Sequence, residues 1–280
     1  MEKYVLNCKG APWYIEKPVV MGIINVTQDS FYDGGKLTSI HLILQKVEQM
    51  LKEGANIIDI GGISTRPNAT KLTEAEELKN IIEPIKAIHQ QFPDAILSID
   101  TFRSAVAEAA IQEGVSIIND ISGGTEEEAI FEVAAKYHCP YILMHHRGGF
   151  DTMHHPTKYE NFLSDVIDDL NKQINKATQA GVLDIIIDPG FGFSKSIEQN
   201  YYLLKNLPVF QQLGKPVLAG LSRKSMLYKP LQISSEEALS ATTAVNMIAL
   251  MNGASILRVH DVKEAKECID IYQQLKQCEP

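Results

Sequence analysis

Eight short apolar runs recur along the chain, spaced so that one helix fits between most neighbours: Val19 to Asn25, Ile57 to Gly61, Ile96 to Asp100, Ser116 to Asn119, Tyr141 to His145, Ile185 to Asp188, Pro216 to Leu221 and Ser255 to Val259. They are continuously apolar instead of alternating, the pattern of strands buried on both faces of a parallel sheet. Strands alternating with helices predict an α/β fold, and eight of them predict a closed (β/α)8 TIM barrel. Such a barrel takes ~250 residues. Residues 1–280 are therefore expected to form a single domain.

The intervening segments carry helical periodicity. Ile40, Ile43, Leu44, Val47, Met50 and Leu51 make one apolar stripe, and Gly54 ends it with a residue that tolerates a left-handed C-cap. Ile81, Ile82, Ile85, Ile88 and Phe92 make another. Capping boxes are expected at Thr73 with Glu76, Thr125 with Glu128 and Ser234 with Glu237, each a hydroxyl followed three residues later by a carboxylate. The first eighteen residues and the tail after Gln274 stand outside this alternation, and the former are expected to close the barrel bottom.

Composition narrows the function classes. A net charge of -9 argues against nucleic acid as a partner, since phosphate contacts need clustered Lys and Arg. The N-terminal MEKYVLNCKGAPWY lacks the apolar core of a secretory signal, and no stretch approaches the ~18 apolar residues of a membrane span. A cytoplasmic protein is expected. Cys8, Cys139, Cys268 and Cys278 have neither CxxC nor Cys/His zinc spacing, so free thiols are expected. His145, His146, His154 and His155 cluster without a defined third ligand and are expected to be solvated on a flexible rim from Arg147 to Pro156.

Polar segments follow most of the runs: GIINVTQDSFYDGG, GGISTRPNA, SIDTF, INDISGG, DPGFGFSKS, GLSRKSM and RVHDV. A parallel barrel gathers its strand ends on one rim, the face where barrels carry chemistry. The ends here supply Asn25, Asp59, Asp100, Asn119, Met144 with His145, Asp188, the Ser222 to Ser225 group, and Arg258 with His260. Carboxylates, carboxamides and a lysine suit the edge of a flat nitrogen heterocycle. An amidine-like N–C–NH2 edge presents two donors to one carboxylate such as Asp188, and a ring carbonyl accepts from an ammonium such as Lys224. Taken singly, a strand-end Asp equally fits a loop turn, and Met144 or Phe193 fits core filling.

As an ordered set, these segments closely resemble dihydropteroate synthase, from about Val19 to Val262. The resemblance implies condensation of 6-hydroxymethyl-7,8-dihydropterin pyrophosphate with 4-aminobenzoate, giving 7,8-dihydropteroate and pyrophosphate. It places the pterin against Asp100, Asn119, Met144, Asp188 and Lys224, with Phe193 and Arg258 enclosing its faces. It assigns the pyrophosphate to Asn25, Arg66, Arg258 and His260, with Mg²⁺ near Asn25. Phe31 and Pro67 would line the 4-aminobenzoate ring, and Ser225 would meet its carboxylate at a helix start, unless Ser225 is only the N-cap.

The chemistry implied is an SN1-like substitution. An aniline nitrogen is neutral near pH 7 and needs no strong base, so the demanding step is loss of pyrophosphate. Arg66, Arg258 and His260 would steady the leaving group, while Asp33 on the first loop would stabilise the cation or hold the amine. Gly34, Gly35, Gly61 and Gly62 would let the first two loops close.

The chain departs from the family pattern at four loop positions: Gln28 for Pro, Ile63 for Glu, Asn68 for Gly and Ser194 for Gly. Two other readings share part of the pattern. A pterin-binding methyltransferase would use Asp100, Asn119 and Asp188 but not the Ser-Thr-Arg-Pro loop or Ser222 to Ser225. A non-catalytic pterin binder would have no use for Asn25, Arg66, Arg258 and His260 together. The resemblance also implies a homodimer, to which the apolar helix Ala238 to Met251 would contribute.

Overall fold

Each of the eight apolar runs contains a strand. In the computed structural model, which describes residues 3–8, 10–26, 35–62, 72–149, 151–153 and 155–278, these are β3 (Val19–Asn25), β4 (Ile57–Gly61), β5 (Ile96–Asp100), β6 (Ile117–Asp120), β7 (Tyr141–Met144), β8 (Ile185–Asp188), β9 (Leu218–Ala219) and β10 (Ile256–Val259). They pair in parallel in the order β8-β7-β6-β5-β4-β3-β10-β9. A parallel bridge between Ile187 and Val217 joins the two ends, closing the expected barrel.

Strand parity explains why the runs are apolar throughout. Val19, Met21, Ile57, Ile117, Ile142, Ile186, Leu218 and Ile256 meet one another inside the barrel. Their immediate neighbours, among them Val20, Ile58, Leu97, Ile118, Leu143, Ile187 and Leu257, pack outward against the helices. With both faces buried, alternation vanishes.

The helices are α1 (Gly35–Lys52), α2 (Glu74–Gln91), α3 (Ser104–Gln112), α4 (Ile130–Tyr137), α5 (Phe162–Gln179), α6 (Ile197–Lys205), α7 (Ser225–Leu231), α8 (Leu239–Met251) and α9 (Val262–Gln277). Val47 on α1 and Ile81, Ile85 and Ile88 on α2 are fully buried, as their stripes require. Gly54 has φ +102, the left-handed turn expected after α1.

Thr73 and Glu76 form the reciprocal capping box that opens α2. Ser234 and Glu237 exchange the same bonds, at 2.8 and 3.4 Å, in the turn leading into α8. Thr125 does not cap: its hydroxyl donates to the Ser122 carbonyl at 2.7 Å, and α4 begins only at Ile130. A further box, unexpected from the sequence, joins Ser196 and Gln199 at the start of α6.

The first residues form an antiparallel hairpin, β1 (Tyr4–Cys8) with β2 (Ala11–Ile15). Leu6, Cys8 and Ile15 insert into the inner apolar cluster at the strands' N-terminal ends. The Asn7 N–H donates to Asp184, just before β8, at 2.7 Å. The hairpin is therefore a plug for the barrel bottom, leaving the opposite mouth for polar side chains. Among the described residues no helix is long and apolar enough to cross a membrane.

Candidate active site at the barrel mouth

Moving up the inner face by two residues from the apolar layer replaces hydrocarbon with polar groups. Asp59 follows Ile57, Asn119 follows Ile117, Asp188 follows Ile186 and Arg258 follows Ile256, while Ser98 and Asp100 continue the inward face of β5. Asp59, Asn119 and Asp188 are all at most 6% exposed. Five strands, β4, β5, β6, β8 and β10, thus deliver ionisable or carboxamide groups into one low-dielectric space.

Arg258 ties that space together. Its Nε donates to Asp59 Oδ2 at 2.7 Å and its Nη2 to Asp100 Oδ2 at 2.5 Å. Asn119 Nδ2 donates to the same Asp59 oxygen at 3.0 Å. Burial works against charge on Arg258, but Asp59 and Asp100 outweigh it and hold the proton more tightly than usual. Burial, with the like charge of Asp59 beside it, pushes Asp100 up to about 7 against the pull of Arg258.

Across the mouth, Asp188 accepts the Gly190 N–H at 2.8 Å. Burial raises its pKa, while Lys224 pulls the other way. Lys224 donates to the Phe191 carbonyl and lies 4.6 Å from the centre of the Phe193 ring. Burial lowers it to about 8, with Asp188 opposing. Both groups border Gly220: a Cβ there would stand 3.8 Å from Asp188 Oδ2 and 3.9 Å from Lys224 Nζ. Met144 and Phe193 join Ile121 and Met153 in a separate apolar cluster at the same level. A polar edge beside an apolar wall can hold a flat heterocycle by its donors and one face.

His260 and Ser222 form the rim. The Ser222 hydroxyl accepts the His260 backbone N–H at 3.2 Å and lies 3.0 Å from Nδ1. A hydroxyl proton given to Nδ1 would leave Nε2–H as a donor toward the mouth. Burial, then Arg258, lowers His260 to about 4. Lys224, not Ser225, occupies the N-cap of α7, and Ser225 is the first helical residue.

The sequence-derived residues Asn25, Asp100, Asn119, Met144, Asp188, Phe193, Lys224, Ser225, Arg258 and His260 all lie at or just beyond the C-terminal ends of the strands. Asn25 is exposed at the end of β3, with room beside it: a Cβ on Gly61 would stand 3.5 Å from its Oδ1. Asp33, Arg66, Phe31 and Pro67 lie outside the described residues, as do Asp29, Gly34, Gln28, Ile63 and Asn68. Gly62 has a packing role beyond loop movement, for a Cβ there would come within 2.5 Å of Ile81 Cγ2.

Two expectations about the β7 loop are corrected. His145 and His146 are buried, not solvated, at 3% and 8% exposure. His145 Nδ1 lies 2.9 Å from Lys195 Nζ and its Nε2 3.4 Å from Asp169, while His146 Nε2 meets the Ser122 carbonyl at 3.1 Å. His155 is exposed, and His154 falls outside the described residues. Nor is the following rim loose throughout. Arg147 Nε donates to Asp169 at 2.7 Å, and Met153 is 1% exposed against Phe193. Among the described residues no three His, Cys, Asp or Glu side chains are grouped to hold a metal.

Sequence reasoning named Asp59 as a strand end but gave it no role, and it passed over Lys195. The inward parity of β4, two residues beyond Ile57, marks Asp59; nothing local marks Lys195. Ser194 takes φ +50, a left-handed conformation suited to the glycine usual there. Its hydroxyl accepts the Arg147 N–H at 2.9 Å, a bond glycine could not make. A cavity of about 340 Å³ lies against α5, lined by Ser122, His145, His146, Arg147 and Asp169, and shares Met144 with the mouth. It does not include the carboxylates and Lys224 of the mouth, which define the site by their chemistry.

The model for the pterin binding enzyme family matches residues 21–260. The dihydropteroate synthase of Clostridium beijerinckii is 44% identical over 252 residues, covering 89% of this chain and 91% of that protein. The crystal structure of Yersinia pestis dihydropteroate synthase with a sulfonamide drug superposes with a TM-score of 0.91 at 38% identity, covering 98% of this chain and 100% of that one. Xanthomonas albilineans dihydropteroate synthase with 4-aminobenzoic acid gives a TM-score of 0.91 at 36% identity, covering 99% and 100%. Barrel, mouth chemistry and relatives agree: the chain belongs to the dihydropteroate synthases of the pterin-binding enzyme family.

Proposed function

We propose that the chain condenses 6-hydroxymethyl-7,8-dihydropterin pyrophosphate with 4-aminobenzoate, releasing pyrophosphate and forming 7,8-dihydropteroate. The observation that carries this reading is the set of buried Asp59, Asn119 and Asp188 with half-buried Asp100, Lys224 and Arg258 at one barrel mouth. Asp188 accepts from the pterin's N–C–NH2 edge, Lys224 donates to its carbonyl, Asn119 and Asp100 meet the remaining ring nitrogens, and Met144 and Phe193 cover its face. Arg258 shares Nε and Nη2 between two carboxylates, which leaves Nη1 to the substrate.

Bond breaking comes first. The carbon–oxygen bond to pyrophosphate cleaves with its electron pair leaving on oxygen, and the electron-rich pterin spreads the resulting positive charge. The aniline lone pair then forms the carbon–nitrogen bond, and the nitrogen loses a proton. Arg66, Arg258 and the His260 Nε2–H stabilise the departing anion, and Asp33 stabilises the cation or holds the amine. Phe31 and Pro67 line the second substrate, and Ser225, at the start of α7, meets its carboxylate.

Asn25 fits Mg²⁺, since its carboxamide oxygen is a hard donor and the ion commonly keeps waters and substrate phosphate oxygens as its other ligands. Held there, the ion would neutralise charge on the diphosphate. A homodimer fits the apolar surface left on α8, where Ile248 and Met251 are 43% and 66% exposed. A cytoplasmic setting accords with four cysteines that show no CxxC spacing, three of them buried.

Two variants test the division of roles. Asp188→Asn is expected to weaken pterin binding by at least about tenfold, because it removes a charged acceptor. Arg66→Ala is expected to lose turnover while keeping pterin affinity near wild type. Pterin titration followed by fluorescence reads both, and unchanged pterin affinity in Asp188→Asn would contradict the assignment.

A further inference from the structure

Lys195 is an enclosed amine that the reaction does not use; burial lowers it to about 7, with Asp188 opposing. At 5% exposure, its Nζ lies 3.0 Å from the Gly190 carbonyl, 3.1 Å from that of Phe193, 3.4 Å from that of His145 and 2.9 Å from His145 Nδ1. Three N–H donors facing only acceptors is the arrangement an ammonium requires. His145 then accepts at Nδ1 and donates from Nε2 to Asp169, which also receives Arg147. One chain of contacts therefore runs from α5 through the end of β7 to the loop after β8.

That loop carries two parts of the pterin pocket. Gly190, whose carbonyl meets Lys195, donates its N–H to Asp188. Phe193, whose carbonyl also meets Lys195, presents its ring to Lys224 and to the Met144 wall. The loop has little freedom of its own. A Cβ on Gly190 would come within 1.9 Å of the His145 carbonyl oxygen, and Ser194 is held at φ +50.

Resting on the pterin reading of the mouth, we infer that Lys195 is a positioning residue for the pterin substrate. Its ammonium draws the Gly190, Phe193 and His145 carbonyls to one point, fixing the Asp188 carboxylate and the Phe193 ring at the spacing the heterocycle needs. It touches neither reacting atom. Lys195 therefore governs how tightly the pterin binds, while chemistry in the filled site proceeds at nearly the normal rate.

The test measures kcat and both KM values for Lys195→Met, with thermal unfolding followed by circular dichroism. A folded variant is expected to show the pterin pyrophosphate KM raised roughly tenfold, with kcat and the 4-aminobenzoate KM within about twofold of wild type. Lys195→Ala is expected to regain pterin affinity with n-propylammonium but not with n-propanol, which matches the missing side chain's length without its charge. If Lys195→Met does not fold, His145→Gln, which rearranges the imidazole contacts around the ammonium, is expected to raise the same KM in smaller measure. A folded Lys195→Met with wild-type pterin KM overturns the inference, as does loss of activity that only tracks the unfolded fraction. Failure of the wild-type protein to bind pterin would instead overturn the pocket reading, and this inference with it.

Discussion

At Arg258 one guanidinium meets two carboxylates, and the mouth's electrostatics follow from that sharing. Asp100, at about 7, keeps its proton more readily than the ordinary carboxylate at 3.8. The sign for stability is direct: a folded pKa above the unfolded one stabilises the ligand-free protein below the unfolded value, and the contribution is lost as pH rises through about 7. Binding runs the other way, because pterin donors need ionised acceptors. Affinity is therefore expected to rise from about pH 6 to about pH 7.5 as Asp100 ionises. It should fall again above about 8 as Lys224 loses its proton. Calorimetric titration across this range checks it, and a flat profile would contradict the roles given to these groups.

The same residues show what the sequence can disclose. Asp100, Asn119, Asp188 and Arg258 were legible because each ends an apolar run, and a parallel barrel turns strand ends toward one rim. Asp59 was half-legible: its place could be read, but its partnership with Arg258 joins residues 199 positions apart. Lys195 was illegible, since its burial arises from packing between the loops after β7 and β8. The burial of His145 and His146 was hidden for the same reason, as histidines in a polar stretch read like solvated ones until α5 covers them.

Among elements, the β1–β2 hairpin separates stability from function most cleanly. Its Leu6, at 3% exposure, packs in the bottom cluster with Ile15 and the inner residues of the strands. Leu6→Ala is expected to cost about 2–4 kcal/mol in urea unfolding, the range for leucine truncation in a core. Pterin affinity should be unchanged, because the binding groups lie at the opposite end of the barrel. A loss of affinity in the folded variant would show that the plug also shapes the mouth. Element type was readable from hydrophobic period, whereas boundaries depended on local chemistry. Thr73 caps α2 as its spacing implies. Thr125 instead enters a turn where Asp120 already accepts the Ser122 and Gly124 N–H groups at 2.7 and 2.8 Å.

At the scale of the whole molecule, barrel closure was legible from the number and spacing of the runs, but the molecular surface was not. Met251 and Ile248 lie on α8 beside Val245, Ala249 and Leu250, which are core, so composition alone mixes packing with interface. Tyr201 and Tyr202 on α6 and Leu231 on α7 add exposed apolar area to the α6–α8 side. A double substitution, Ile248→Glu with Met251→Glu, is expected to convert a dimer to a folded monomer in light scattering after gel filtration. An unchanged dimer would move the interface elsewhere, and a monomeric wild type would remove it.

The central claim is that this mouth joins a dihydropterin to an arylamine. Pyrophosphate release from 6-hydroxymethyl-7,8-dihydropterin pyrophosphate, with Mg²⁺ and with or without 4-aminobenzoate, tests it most directly. Release is expected to depend on the amine and to match 7,8-dihydropteroate formed one for one. Tight pterin binding with no amine-dependent release would contradict it.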